Sequence, residues 1–546
     1  MSIFNNYQTY KNEYIDWRNA KEYSAARRQE YLRRNPDAIE DYDLQRAKTL
    51  LNAVDLMDKS VIKKTGKINT MYESAASFAL GYAGIGGATL GFLLTKFKFV
   101  KNFINKIMEK HPKSKNIIPM AITVVSGVLG ILGAYPIYTF LSTIESKIHR
   151  KRRFDNMEKE LQDPKIFVVL DEEQKKTLEK NLSEIEKNKK DKEPIKIIKN
   201  NFNDIIQLSK EALYYDKEQN AFRQKYEEDK SLYNNELNEK EIKDAKKDRV
   251  LLSVLIKDIN TNAQSYSEKM QRITDNLITI SFALGSLFTL GYERIVKSLK
   301  LKSYSLPASM GVAMLAGSTF FATWAQKRAE HVGRFKAKQD LQQNPERLVY
   351  ISRQEMEEIE EKDISVKPYK NTRTNMFKFL KEFFRHNKEY EGWKKTTKIS
   401  GKEISEAMKN IEISNEQLKD GKRLQNNLFK ALYKVDNNTQ RYSSEIDIMA
   451  ESVKYPTTLI LGTLGSVWGM KHLAKLRSAI IPKEVFKHSA KYIGTILAFT
   501  MPSLFINSYF AKAQKMGARI SDMTTMKELE DYRFFADYSR FEKSNT

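Results

Sequence analysis

The sequence predicts an all-α, polytopic membrane protein built from three tandem repeats, each a polar helical arm followed by a hairpin of two apolar helices. Three observations carry that expectation. Six charge-free stretches interrupt a chain that is otherwise 30% charged; they fall in three pairs; and short phrases recur around the pairs in constant order.

The stretches are 74–95, 116–144, 276–292, 303–326, 455–470 and 492–511. A helix rising 1.5 Å per residue needs roughly 20 apolar residues to cross about 30 Å of hydrocarbon. Stretches one, two, four and six meet that length. The two at 276–292 and 455–470 are marginal, and span only if flanking Arg272, Lys454 or Lys471 snorkel or the bilayer thins. Small residues recur at four-residue spacing within the stretches: Gly87 and Gly91, Ser126 and Gly130, Ser309 with Ala313 and Gly317, and Gly465 with Gly469. Such rows let helix backbones approach closely where lipid, not water, is the solvent. Pro136 and Pro502 stand in corresponding parts of second helices, where each predicts a kink.

The phrase "SFALG" opens an apolar stretch at Ser77 and again at Ser281. After the second helix of each pair, "RRFDNMEKELQDPKIFVVLDEEQ" from Arg152 resembles "GRFKAKQDLQQNPERLVYISRQE" from Gly333. In both, Phe and Pro stand ten residues apart, at Phe154 and Pro164 and at Phe335 and Pro345. Each predicts a short extended stretch and then a helix start, with Asp171 and Gln174, or Ser352 and Glu355, as the reciprocal pair of a capping box. The third copy is recognisable only at its beginning, near Gly517. Upstream, "NAQSYS" at Asn262 matches "NTQRYS" at Asn438, and "EYIDWR", "EQNAFR" and "EYEGWK" open the arms. Polar linkers at Pro194 and Pro368 then divide the chain into units at 1–193, 194–367 and 368–546, with membrane hairpins at 74–144, 276–326 and 455–511. The arms are helix-prone and charged, and read as helical hairpins or loose coiled coils. Leu251, Leu252, Leu255 and Ile259 lie on one helical face, predicted to pack within their own arm.

Basic residues flank the stretches on both sides and give a formal net charge of +24. The cluster "KIHRKRR", with Lys147, Arg150, Lys151, Arg152 and Arg153, and the later Lys327, Arg328 and Arg334, are candidate contacts to anionic lipid headgroups. Because each hairpin returns the chain to the face it left, both termini and all three arms share one side. The cytoplasm is the expected side, since a hydrophilic amino-terminal arm with no cleavable signal peptide is harder to export than three short loops. No helix-turn-helix, RRM, KH or zinc module organises the basic residues, which disfavours nucleic acid as a partner.

Chemistry is sparse. There are no cysteines, which excludes disulfides, thiolate metal sites and cysteine nucleophiles. No phosphate-binding glycine loop, zinc-protease or hydrolase motif is present, and the six histidines are scattered; His149 and His331 read as surface or interfacial. The expectation is no catalytic site, no metal and no cofactor. Three tandem helix pairs resemble the outline of mitochondrial carriers, but their P-x-[DE]-x-x-[KR] signature is missing, since Pro136 is followed by "IYTF". No ionisable residue lies well inside any apolar stretch, against an ion-coupled pathway. The chain therefore reads as a non-enzymatic scaffold, organiser or tether whose hairpins anchor and whose arms bind partner proteins or self-associate. A channel or transporter for an uncharged solute is the alternative.

Overall fold

A computed structural model describes residues 2–58, 94–110, 157–190, 230–290, 305–368, 375–439 and 516–538, apart from isolated positions within those spans, together with scattered helical positions between 87 and 141. The expected stretches 455–470 and 492–511, with Gly465, Gly469 and Pro502, lie outside the described residues, as do Gly91 and the whole cluster from Lys147 to Arg153.

The all-α expectation holds: among the described residues every regular element is helical. In chain order these are α1 (Ser2–Arg34), α2 (41–58), α3 (Lys98–Lys110), α4 (Glu172–Lys190), α5 (Glu239–Leu290), α6 (Ser305–Gln343), α7 (Met376–Thr396), α8 (Gly401–Ala407), α9 (415–439) and α10 (516–528). Local chemistry sets the starts. Asp171 and Gln174 exchange backbone-to-side-chain hydrogen bonds at 2.8 and 3.0 Å ahead of α4, and Ser352 and Glu355 do so at 3.2 and 2.7 Å. Both capping boxes are those expected from sequence. Asn238 with Glu241 opens α5, and Ser414 with Gln417 opens α9, in the same reciprocal way.

Arm and apolar stretch are not separate helices in the second unit. The 52-residue α5 runs unbroken from charged Glu239 into the apolar stretch and ends at Leu290; at 1.5 Å per residue it is about 78 Å long. The 39-residue α6 begins at Ser305 and carries the return stretch straight into the polar exit segment. The two helices pack along each other. The backbones come close at Gly333 of α6, where a Cβ would stand 2.6 Å from the Asn262 carbonyl oxygen of α5. Gly333→Val should therefore force the backbones apart and lower stability by about 1–3 kcal/mol. By contrast, Gly392→Ala in α7, where nothing lies within 4 Å, should raise it by about 0.5–1 kcal/mol. Urea unfolding of the two variants checks the pair of signs.

The expected packing of Leu251, Leu252, Leu255 and Ile259 within their own arm is not what forms. These residues enter a shared core with Leu50, Leu51 and Val54 of α2, Leu424, Leu428 and Val435 of α9, Leu341 of α6, and Met526 and Leu529 of α10. Met157, Leu161 and Phe167 join from the first unit. The physical reason is area: one amphipathic helix cannot cover its own stripe, and three arms facing inward with their exit helices can. Residues of all three sequence units thus share one core.

One local motif closes the exit segments. At Asp163 the carboxylate accepts a hydrogen bond from Lys165 N, a 3-10 turn follows over Pro164–Phe167, and Phe167 is buried. Asp531 accepts from Arg533 N in the same way ahead of Tyr532–Phe535, which buries Phe535. A third turn of this kind at Pro345–Leu348 buries Leu348. Residues 168–170 and 349–351, expected to be extended, follow the first and third of these turns and lie outside any strand.

Candidate functional site

Charged side chains from all three sequence units meet at one end of the shared core. Arg46 of α2 reaches Asp248 of α5 at 2.5 Å and Asp420 of α9 at 2.9 Å; Arg46 and Asp248 are fully buried. Arg423 bridges Asp244 at 2.7 Å, Asp248 at 3.2 Å and Asp420 at 2.5 Å. Tyr42 donates its hydroxyl to Asp420 at 2.9 Å, and Asn427 donates to Asp248 at 2.7 Å and to the Phe535 carbonyl at 3.0 Å. Burial opposes charge on Arg46, but Asp248 and Asp420 outweigh it and raise its pKa. Burial likewise works against the Asp420 carboxylate, and Arg46 with Arg423 more than reverses it, holding that carboxyl below its ordinary value. Two guanidinium groups thus face three carboxylates, and each helix is held in register by partners from the other units.

Two further buried clusters repeat that logic. Lys338 of α6 pairs with Asp55 at 2.8 Å and Asp58 at 3.1 Å on α2, and sits 4.5 Å from the ring centroid of Trp393 on α7. Trp393 in turn donates its indole N–H to Asp55 at 3.1 Å. Glu268 of α5 pairs with Arg272 on its own helix and Arg519 of α10, and Arg519 lies over the Tyr14 ring of α1 at 5.4 Å.

Asp522 of α10 differs, because its hydrogen-bond partners are neutral amides: Asn260 donates to it at 3.2 Å, and Gln264 also donates. Burial pushes its carboxyl up to about 7, against the smaller opposing pull of those two amides and of Arg334. A carboxyl raised in the fold binds its proton more tightly there than in the unfolded chain. Its contribution to stability is therefore complete below about pH 4, declines as pH rises, and is gone above about pH 7. Asp522→Asn should remove that decline, and midpoints of denaturant unfolding at pH 4.5 and 7.5 read the difference.

Between α2, α5, α6 and α9 lies a cavity of about 20 Å³, lined by Val54, Asp58, Ile256, Asn260, Arg334 and Leu428 among others. It has room for about one water molecule and none for a substrate. Among the described residues no group of histidines and carboxylates is placed to hold a metal ion. His331, expected at the surface or an interface, is partly buried: its ring stacks on Tyr390 at 6.5 Å and 3°, and desolvation pushes its pKa down to about 4, so it is neutral at pH 7. His386 is buried, with Glu389 3.0 Å from Nδ1.

The candidate lipid contacts on α6 are partly buried. Arg328 bonds Asn387 at 2.6 Å and also Glu391, and stacks over Tyr390 at 4.3 Å. Arg334 pairs with Glu330 at 3.6 Å and borders the cavity, and Lys327 is half-buried. The partners of Arg328 come from α7, whose packing on α6 has no local sequence signal. Of the small-residue rows, the structure brings Gly87 against Ser126 and Gly130: a Cβ on Gly87 would stand 3.1 Å from the Gly130 Cα and closer still to the Ser126 carbonyl oxygen. Gly317 faces open space instead, with nothing within 4 Å, while Ser309 and Ala313 lie on the same helix. Pro136 is exposed within a helical position. Sequence reasoning missed all three buried ion clusters. The chain matches no family model, no curated protein and no solved structure.

Proposed function

We propose that this protein is a non-enzymatic, integral membrane scaffold: a polar bundle of arms held at a bilayer by apolar helical pairs, with its arms offered to partner proteins. The observation that supports this reading is the first pair. Its small residues face one another at Gly87, Ser126 and Gly130, while Leu90, Leu94, Val125, Leu129, Ile137 and Phe140 are between 45% and 63% exposed. Small residues inside and large apolar residues outside invert the arrangement water favours and match what lipid favours. Among the described residues no helix is long and apolar enough to cross a membrane. Of the charge-free stretches that reach the required length, 303–326 lies within α6 from Ser305 on, 74–95 and 116–144 are described only at scattered positions, and 492–511 lies outside the described residues.

The scaffold reading also fits the absence of a substrate-sized space in the cavity at the meeting of the arms. Headgroup contact then falls to Lys147, Arg150, Lys151, Arg152 and Arg153, with the arms on the cytoplasmic side. Membranes carrying the expressed chain should retain it through alkaline carbonate washing, and a tag in α9 should be cleaved by protease added to the cytoplasmic face. Recovery of a monodisperse chain in detergent-free buffer would overturn the anchoring. A saturable solute flux in reconstituted vesicles would instead favour the transport alternative.

A further inference from the structure

The helix α7 carries apolar residues on two sides, and among the described residues only one of them is packed. Its buried face carries Phe379, Phe383 and Tyr390, packed on Tyr266 and Met270 of α5 and on Ala325 and Ala329 of α6. Tyr266 meets Phe379 edge-on at 5.7 Å and donates its hydroxyl to Glu382 at 2.7 Å. The direction of α7 along the pair follows from these contacts. Its carboxyl-terminal end, at Tyr390 and Trp393, touches Phe335 near the shared core. Its amino-terminal end lies at Met270 and Ala325, where the two apolar stretches leave the polar body.

The opposite face of that amino-terminal end is bare. Phe377 is 85% exposed and Phe384, seven residues on, is 63% exposed. Beside them Lys378, Lys381 and Lys388 are exposed. On α6, at the same level, Phe321 and Trp324 are also exposed, with ring centroids 5.9 Å apart. Aromatic rings flanked by lysines, set at the junction of an apolar and a polar half, are what the boundary between hydrocarbon and headgroups selects: the ring enters the acyl edge and the ammonium meets phosphate.

We propose that α7 lies in the headgroup layer of an anionic bilayer, with Phe377 and Phe384 immersed and Lys378, Lys381 and Lys388 on lipid phosphates. The proposal rests on the membrane reading above and adds to it a fixed depth for the polar body. Charge selects the occupant, because the exposed lysines favour an anionic surface over a neutral one. Position selects it too, because a face at the foot of two apolar stretches meets lipid as soon as those stretches enter a bilayer.

The native chain has no cysteine, so one introduced thiol labels one site. The full chain carrying Phe377→Cys, or Glu416→Cys on the polar bundle as control, is labelled with an environment-sensitive dye. It is then reconstituted in vesicles containing phosphatidylserine and lipids brominated near the headgroup. The dye at 377 is expected to shift to the blue and to be quenched, and the dye at 416 to be neither. Removing lysines as Lys378→Gln, Lys381→Gln and Lys388→Gln should lower the ratio of immersed to free label about fivefold per cation, and pure phosphatidylcholine should lower it likewise. If the chain stays carbonate-resistant while the dye at 377 is as unquenched as that at 416, the inference fails and the anchoring stands. A blue-shifted dye that lipid bromine does not quench shows a protein covering the face, a second copy or a partner, and overturns the inference. Equal quenching in neutral and anionic vesicles overturns the headgroup contact. A chain that vesicles do not retain removes the anchoring itself.

Discussion

Arg46→Met is expected to destabilise the polar bundle by about 3–5 kcal/mol, because it breaks a buried ion pair while leaving its partner behind. Asp248 is fully buried and loses its 2.5 Å contact. Arg423 cannot compensate, since it already serves Asp244, Asp248 and Asp420. Three carboxylates would then share one guanidinium. The stranded carboxylates would take up protons more readily in the fold than in the unfolded chain, so the deficit should shrink as pH falls. Replacing both partners, Arg46→Met with Asp248→Leu, should recover much of the loss, because the desolvation penalty leaves with the charges. The double-mutant cycle, read as denaturant midpoints, checks this. A single-variant loss under about 1 kcal/mol, with no coupling, would show that Arg46 does not hold the arms in register.

The same cluster explains what was and was not legible beforehand. Helix content and the capping boxes at Asp171 and Ser352 follow from local chemistry, and local chemistry is written in contiguous residues. The turns themselves were not expected: the Phe–Pro spacing marked two of the sites, and the turn after Asp531, with the aspartate cap of the first and a buried Phe535, has Tyr532 where the other copies have proline. Arg46, Asp248 and Asp420 each sit in a helix rich in charge, where any one of them reads as part of a solvated face. Their burial is a property of three distant segments meeting, and no window of sequence contains it. The partners of Arg328 were hidden for a related reason: Asn387 and Glu391 come from a helix some sixty residues on, beyond any local cue.

The unbroken passage of α5 and α6 from core to apolar stretch has a mechanical consequence. A helix about 78 Å long, gripped at Leu251 to Ile259 by the core and continuing to Leu290, has no hinge residue such as proline between the two regions. If the apolar half is held by lipid, the orientation of the polar bundle is held with it. Flexible stems would then let the bundle sweep a volume, whereas stiff ones would set it at a fixed height and angle.

Phe535→Ala should cost about 3–5 kcal/mol, as full truncation of a buried aromatic ring commonly does, and the pattern of that loss matters more than its size. Phe535 is fully buried in the third unit's closing turn, stands at 4.8 Å from the Phe534 ring, and lends its carbonyl to Asn427 beside the ion cluster. Its core neighbours include residues of α2 and α5, which belong to the first and second units. Trp17 of α1 packs against that same core from the amino-terminal end of the chain. In a chain keeping Trp17 as its only tryptophan, with Trp324, Trp393 and Trp468 replaced by Phe, the fluorescence transition should move to lower denaturant by the full amount when Phe535 is truncated. Three units folding separately would leave Trp17 blind to a change near the carboxyl terminus. A transition of Trp17 that stays in place would therefore divide the shared core into separate bodies, whereas its displacement makes the arms of all three units one cooperative structure.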